Sequence, residues 1–250
     1  MTKSDHEDRV AVVSGAASGL GAAYALRLAE LGYDVAICDL EDAAETAAAV
    51  AAQGRRAHAA RADVADPEAV SRFAAGVEAE LGPAAVLVNN AGYSPFARFE
   101  EISLSEWRQT IAVNLDGLFL MTRAFLPAMR QAGWGRVVNV SSAVCWDAER
   151  REVVHYAASK LGVVGFTRSL AGEVGPDGVT VNCICPGIIR TPLLERRIPP
   201  EQWQRYLERQ AVKREGVPAD LLAALTMLVS EESGFITGTV LPVHGGRVVI

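Results

Sequence analysis

The stretch between residues 10 and 31 restricts the fold more than any other. Val10-Ala11-Val12-Val13 is a short apolar run, Ser14-Gly15-Ala16-Ala17-Ser18-Gly19-Leu20-Gly21 follows it, and residues 22–31 have the composition of a helix. A strand that enters a helix through a glycine-rich turn opens a βαβ unit, since parallel strands need a crossover connection. Glycines at 15, 19 and 21 let the backbone turn tightly and approach a pyrophosphate, whose charge a helix amino terminus stabilises. The stretch therefore reads as the start of a dinucleotide-binding unit; the competing reading is a turn and nothing more.

The pattern continues in strand-helix order. Residues 34–40 form a second apolar run ending in Asp39, at about the 20-residue separation from the glycine turn at which a carboxylate accepts hydrogen bonds from an adenosine ribose. That carboxylate would repel a ribose phosphate, and neither the glycine turn nor Leu40 offers a cation to hold one, so NAD(H) is expected over NADP(H). A helix is expected over residues 42–53, closed by Gly54, then a weaker strand over 56–61 that delivers Asp63-Val64. Pro67 opens a helix running to about Leu81, and a strand over 85–88 leads into Asn89-Asn90-Ala91-Gly92. Ser105 is a candidate cap for a long helix carrying Asn114. A fifth strand, 135–140, ends at Ser141-Ser142.

Tyr156 and Lys160 lie four positions apart in a stretch that reads as helix to about residue 173, so they share a face. A free tyrosine, with a pKa near about 10, is a poor base at neutral pH, but a fixed ammonium beside it favours the phenolate. The pair thus offers a general acid or base. Taken by itself the spacing also occurs on ordinary helix surfaces.

A formal charge of −6 and a pI near 5.3 argue against a nucleic-acid surface. Cys38, Cys145, Cys183 and Cys185 form no C-x-x-C pair, so free thiols in a reducing cytoplasm are expected, with no metal site. Residues 1–9 are polar, without a secretory core, and no apolar run of about 18 residues spans a bilayer.

In order and residues the chain resembles the short-chain dehydrogenase/reductase family, in its form of about this length. The turn Ser14-Gly15 to Gly21 is similar to the family's Thr-Gly-x-x-x-Gly-x-Gly, Asn89 to Gly92 to its Asn-Asn-Ala-Gly, and Asn139 to Ser142 to its Asn-x-Ser-Ser. Pro186-Gly187-Ile188-Ile189-Arg190-Thr191-Pro192 resembles its Pro-Gly segment, and residues 234–246 its closing segment, with His244 where aspartate is common. The resemblance implies a single domain over 1–250: a Rossmann-like, three-layer α/β sandwich with a mostly parallel sheet of about seven strands, and a substrate lid at about 191–215. It also implies a catalytic set of Asn114, Ser142, Tyr156 and Lys160, in which the asparagine holds a water linking the lysine to solvent.

The implied cofactor site comprises Gly15, Ser18, Gly19, Leu20 and Gly21 at the pyrophosphate and Asp39 at the ribose. Asp63 and Val64 would contact the adenine, and Asn90, Ala91 and Gly92 border the cofactor. Tyr156, Lys160, Pro186, Gly187, Ile189 and Thr191 would complete it at the nicotinamide end. By their place in the chain, Ser94, Val144, Trp146, Ile188, Leu193 and Trp203 are candidate pocket residues, with Tyr93, Phe96 and Leu194 beside them. They suggest an apolar, aromatic or cyclic alcohol or ketone.

Residues 145–152 depart from the family's apolar loop. Five of these eight are charged, so a solvated tip is expected, with Trp146 packed beneath it or lining the pocket. Trp203, Leu207 and Ala211 recur at helical spacing after Pro199-Pro200, suggesting an amphipathic lid helix. A last helix is expected over 218–230. The apolar end Val248-Val249-Ile250 suggests a subunit contact in the family's usual homotetramer, or a homodimer. Two other functions remain open: an NADPH-dependent 3-oxoacyl or polyketide-type ketoreductase, and a non-catalytic NAD-sensing or scaffold protein on the same fold.

Overall fold

The structure, a computed structural model, describes residues 9–147 and 151–248. The expectations for residues 1–8, for 148–150 of the charged loop and for Val249-Ile250 lie outside the described residues.

The apolar runs form seven parallel strands in one sheet of order β3-β2-β1-β4-β5-β6-β7. They are β1 (Val10–Ser14), β2 (Asp34–Asp39), β3 (Ala57–Arg61), β4 (Ala84–Asn89), β5 (Gly135–Val140), β6 (Val179–Pro186) and β7 (Val240–Val243). Strands β1, β5 and β6 are buried throughout, which is why they read as continuous rather than alternating apolar runs. Successive residues nevertheless serve opposite faces. Val13, Val35, Ile37 and Val88 pack under α1 (Gly19–Glu30), α2 (Ala44–Ala51) and α9 (Ala219–Val229); Val12, Ala36, Leu87 and Val137 pack under α3 (Pro67–Glu80) and α5 (Gly117–Ala132). The expected sheet is thus present and entirely parallel.

The strand order reverses beside β1: β2 and β3 lie on one side, β4 to β7 on the other. Open α/β sheets bind ligands in the crevice at such a reversal, beyond the carboxyl ends of the strands. Here the glycine turn after β1 and the asparagines after β4 meet. Gly15 adopts φ +65°, and a Cβ there would lie 2.7 Å from the Ala91 Cα; at Gly21 a Cβ would lie 2.1 Å from the Gly15 carbonyl oxygen. Only glycine fits either position.

Several elements differ from expectation. The helix expected over 42–53 is confined to Ala44–Ala51. The cap of α4 (Leu104–Ile111) is Ser103, not Ser105: the Ser103 hydroxyl accepts from the Glu106 N–H. The expected single long helix is interrupted, since a π-helical turn, Ala112–Asp116, separates α4 from α5 and carries Asn114. By length and composition the stretch Leu104–Ala132 could also cross a membrane, at a mean hydropathy of 1.3. It packs instead against β4 and α6 as a wall of the domain. The segment expected to form a lid folds as α7 (Pro192–Arg197) and α8 (Pro200–Arg209); the buried side chains of these helices are Trp203 and Tyr206, whereas Ala211 lies beyond α8 and is exposed.

Candidate active site

Asn90 stitches the site together. Its amide donates to the Ser14 and Gly15 carbonyls at 3.0 and 2.8 Å, and the Ser14 hydroxyl accepts from the Asn90 and Ala91 N–H groups. One strand inward, Asn89 donates to Asn139 at 2.8 Å, and Asn139 donates to Thr167 on α6 (Val154–Val174) at 2.9 Å. A buried amide ladder therefore ties β4 and β5 to the helix that carries Tyr156 and Lys160. Hydrogen bonding makes these polar groups tolerable in the core.

Lys160 is buried, and its Nζ donates to the Val140 carbonyl at 2.8 Å. Burial pulls its ammonium down to about 8, partly offset by Cys183, Cys145 and Cys185 nearby. Its Nζ lies 5.8 Å from the Tyr156 ring centroid. Asn114 has its side chain fully engaged: Oδ1 accepts from the Tyr93 N–H, and Nδ2 donates to the Tyr93 carbonyl and to Ser159 Oγ. Beside it, a cavity of about 10 Å³ bounded by Asn114, Lys160, Ser14 and Val140 has room for about one water molecule.

The main cavity, about 410 Å³, runs along the carboxyl edge of the sheet. Gly15, Ser18, Gly19, Leu20, Gly21, Asp39, Asp63, Val64, Asn90, Ala91 and Gly92 line one part of it; Ser142, Tyr156, Lys160, Pro186, Gly187, Ile189 and Thr191 are among the residues that line another. Asn114 stands behind this wall, bounding the small cavity. Asp39 is fixed in the wall because its carboxylate accepts from the Ala17 and Glu41 N–H groups at 2.8 and 3.1 Å. The cradle fits a dinucleotide: the glycine turn keeps side chains out of the path at the amino end of α1, and Asp39 stands where a ribose would lie.

Among the substrate candidates, Ser94, Phe96, Val144, Ile188, Leu193 and Leu194 line the cavity. Trp146, Trp203 and Tyr93 are not among its lining residues. Trp146 packs toward Leu118, Val163 and Cys185 and lines a neighbouring cavity with Val144, Asp147 and Val153; Trp203 joins Ile198 and Tyr206 behind Ile188 and Leu194, as backing rather than surface. The expectation of a solvated charged loop fails at its first charge. Asp147 is buried, lines the cavity and pairs with Arg209 on α8 and with Arg247. Both Asp147 and Arg247 escaped the sequence reading, and no spacing in the chain would have joined them. All four cysteines are free thiols, and no group of three metal-binding side chains occurs among the described residues. His244 sits against Gly187 and is held below its ordinary range, first by burial.

Residues 15–247 match a family described as Enoyl-(Acyl carrier protein) reductase. The chain is 40% identical to the (2S)-[(R)-hydroxy(phenyl)methyl]succinyl-CoA dehydrogenase subunit BbsD of Thauera aromatica, over 96% of this chain and 97% of that one. It is 38% identical to a cis-4-hydroxycyclohexanecarboxylate dehydrogenase of Sinomonas cyclohexanicum, over 97% and 98%. A solved structure of a proposed NAD(P)-dependent gluconate 5-dehydrogenase from Beutenbergia cavernae, with NADP bound at low occupancy, superposes with a TM-score of 0.90 at 37% identity, covering 96% of this chain and 97% of that one.

Proposed function

The chain belongs to the short-chain dehydrogenase/reductase family, and from that premise we propose that it is an NAD(H)-dependent oxidoreductase interconverting a secondary alcohol and a ketone. The observation that carries this reading is the convergence of Ser142, Tyr156 and Lys160 with the glycine turn and Thr191 on one cavity. When bound, the nicotinamide supplies the hydride acceptor or donor. Tyr156 takes the hydroxyl proton in oxidation and returns it in reduction. Lys160, charged below about pH 8, stabilises the phenolate through its proximity to the ring. Ser142 donates to the substrate oxygen where negative charge develops. Asn114 holds the Tyr93 backbone and shapes the small cavity behind Lys160, through which the proton reaches solvent.

Asp39 favours NAD, because a ribose hydroxyl donates to its carboxylate whereas a ribose phosphate is repelled by it. Two observations favour NADP instead: Arg61, opposite Asp39 in the β2–β3 register, places its guanidinium on the Leu40 carbonyl, and the Beutenbergia cavernae structure carries NADP. The carboxylate held in the wall by two N–H groups outweighs an exposed guanidinium already engaged. Val144, Ile188 and Leu193 give the substrate end apolar walls, and the phenyl and cyclohexane rings in the relatives' names fit an aromatic or cyclic substrate. Free thiols throughout suit a reducing compartment.

The test is steady-state turnover of a panel of aryl ketones, cyclic alcohols and hydroxy acids with each nicotinamide cofactor, on the wild-type protein and on Tyr156→Phe. Turnover with NAD(H) is expected, and its loss by roughly 10²- to 10⁴-fold in the variant, with NADH binding retained. Substantial turnover by the variant would sink the assignment of Tyr156, and a clear NADPH preference that of Asp39. NAD binding without turnover of the whole panel would favour the sensing or scaffold reading.

A further inference from the structure

The substrate end of the main cavity is not wholly apolar, because Asp147 and Arg247 line it beside Val144, Val153 and Leu193. The Arg247 side chain is only 3% exposed. Its Nε and Nη2 donate to Asp147 Oδ2 at 2.9 and 2.7 Å, and its guanidinium lies 4.7 Å from the Tyr206 ring centroid. The head group is therefore held along one edge and one face. Its Nη1 is buried without a hydrogen-bond partner.

Asp147 cannot supply what is missing. Its other oxygen accepts from Arg209 Nη2 at 3.1 Å, so one carboxylate is shared between two guanidiniums. Burial pushes the Asp147 carboxyl up, but Arg247 and Arg209 more than reverse this and hold it below the usual carboxylate range, so it is ionised at neutral pH, and it meets Arg247 along the Nε–Nη2 edge, which Nη1 does not share. A buried guanidinium with an orphaned donor needs an acceptor, and a carboxylate matches it in charge and planar geometry.

We propose that Arg247 is a specificity-determining residue that binds a carboxylate on the substrate, separate from the reacting oxygen. The substrate class is then a hydroxy acid, or the matching keto acid, with an apolar body against Val144, Ile188 and Leu193. Asp147 is a positioning residue that sets the Arg247 head group, and Tyr206 on α8 brings the lid to bear on the same group. This deepens the alcohol-oxidation reading and rests on it.

The experiment measures kcat/KM for 4-hydroxycyclohexanecarboxylate and for its methyl ester with NAD, on the wild-type protein, Arg247→Met, Arg247→Lys and the double variant Asp147→Asn/Arg247→Met. The double variant removes both partners together and guards against misfolding caused by a stranded Asp147. The wild-type protein is expected to prefer the acid by roughly 10- to 100-fold, as for a hydrogen bond to a charged group. Both Met variants bring the ratio near one, mainly through KM, and Lys restores part of it. Equal use of acid and ester by the wild-type protein, or a ratio unmoved by Arg247→Met, overturns the proposal. Should neither compound turn over, the dehydrogenase reading is at fault, and calorimetric titration of the NADH-loaded protein with cyclohexanecarboxylate decides the present one. Binding weakened at least about tenfold by Arg247→Met supports it; no binding, or equal binding, overturns it.

Discussion

Lys160 occupies a position in α6 where solvent is excluded and the Val140 carbonyl is its hydrogen-bond acceptor. Its folded pKa, about 8, lies below the value of about 10.4 for a free lysine. Below about pH 8 both states carry the proton and the penalty of burying the charge is fully present. Between about 8 and 10.4 the unfolded chain binds more protons than the folded one, so stability rises with pH across that window. Lys160→Met, without a charge to bury, should therefore be more stable than wild type near pH 7 by a margin that shrinks by about 3 kcal/mol by pH 10.5. Urea unfolding of the cofactor-free proteins at the two pH values reads this. A gap independent of pH would mean that the lysine is solvated. The Tyr156–Lys160 pairing was legible from spacing; the depth of the lysine was not, because burial depends on β5 and β6 lying against α6.

At the scale of elements, helix starts were readable where local residue chemistry marked them. Pro67 opens α3 as the sequence suggests, and Asp66 before it caps the helix, its carboxylate accepting from the Glu68 N–H. Asp66→Ala should cost about 1 kcal/mol, seen as a lower urea midpoint with an unchanged slope; an unchanged midpoint would show that the cap contributes nothing. At α4 two serines competed. Ser103 wins because Glu106 stands three residues on, a capping-box spacing that identifies Ser103 rather than Ser105. The π turn at 112–116 was hidden: Asn114 and Gly117 are merely poor helix formers, and the widening follows from contacts made elsewhere. The Asn114 side chain reaches Tyr93 and Ser159, and Gly117 lies so close to Val64 that a Cβ would come within 2.7 Å. Wide turns of this kind recur at functional sites.

At the scale of the whole molecule, α5 and α6 present Phe119 and Leu161, each 47% exposed. We propose that these apolar side chains belong to a face that meets a second copy of the chain, as the homotetramer or homodimer expected from the sequence would require. Phe119→Glu/Leu161→Glu should lower the mass measured by analytical ultracentrifugation while leaving circular dichroism unchanged. An unaltered mass would remove this face as the contact. The strand-helix alternation, the glycine turn and the asparagines after β4 were determined by sequence alone, because periodicity, glycine dihedrals and motif spacing are local properties of the chain. In the charged loop the expectation failed at Asp147, while Arg151 and Glu152 are exposed as expected, and the reason is the converse. A run of charges is solvated by default, and Asp147 is buried only because the fold brings Arg209 and Arg247 to it from 62 and 100 residues away. Tertiary structure alone decided that Trp146 and Trp203 stay out of the cavity lining and that Asp147 and Arg247 enter it, since a side chain's dielectric surroundings are built by residues that no sequence window contains.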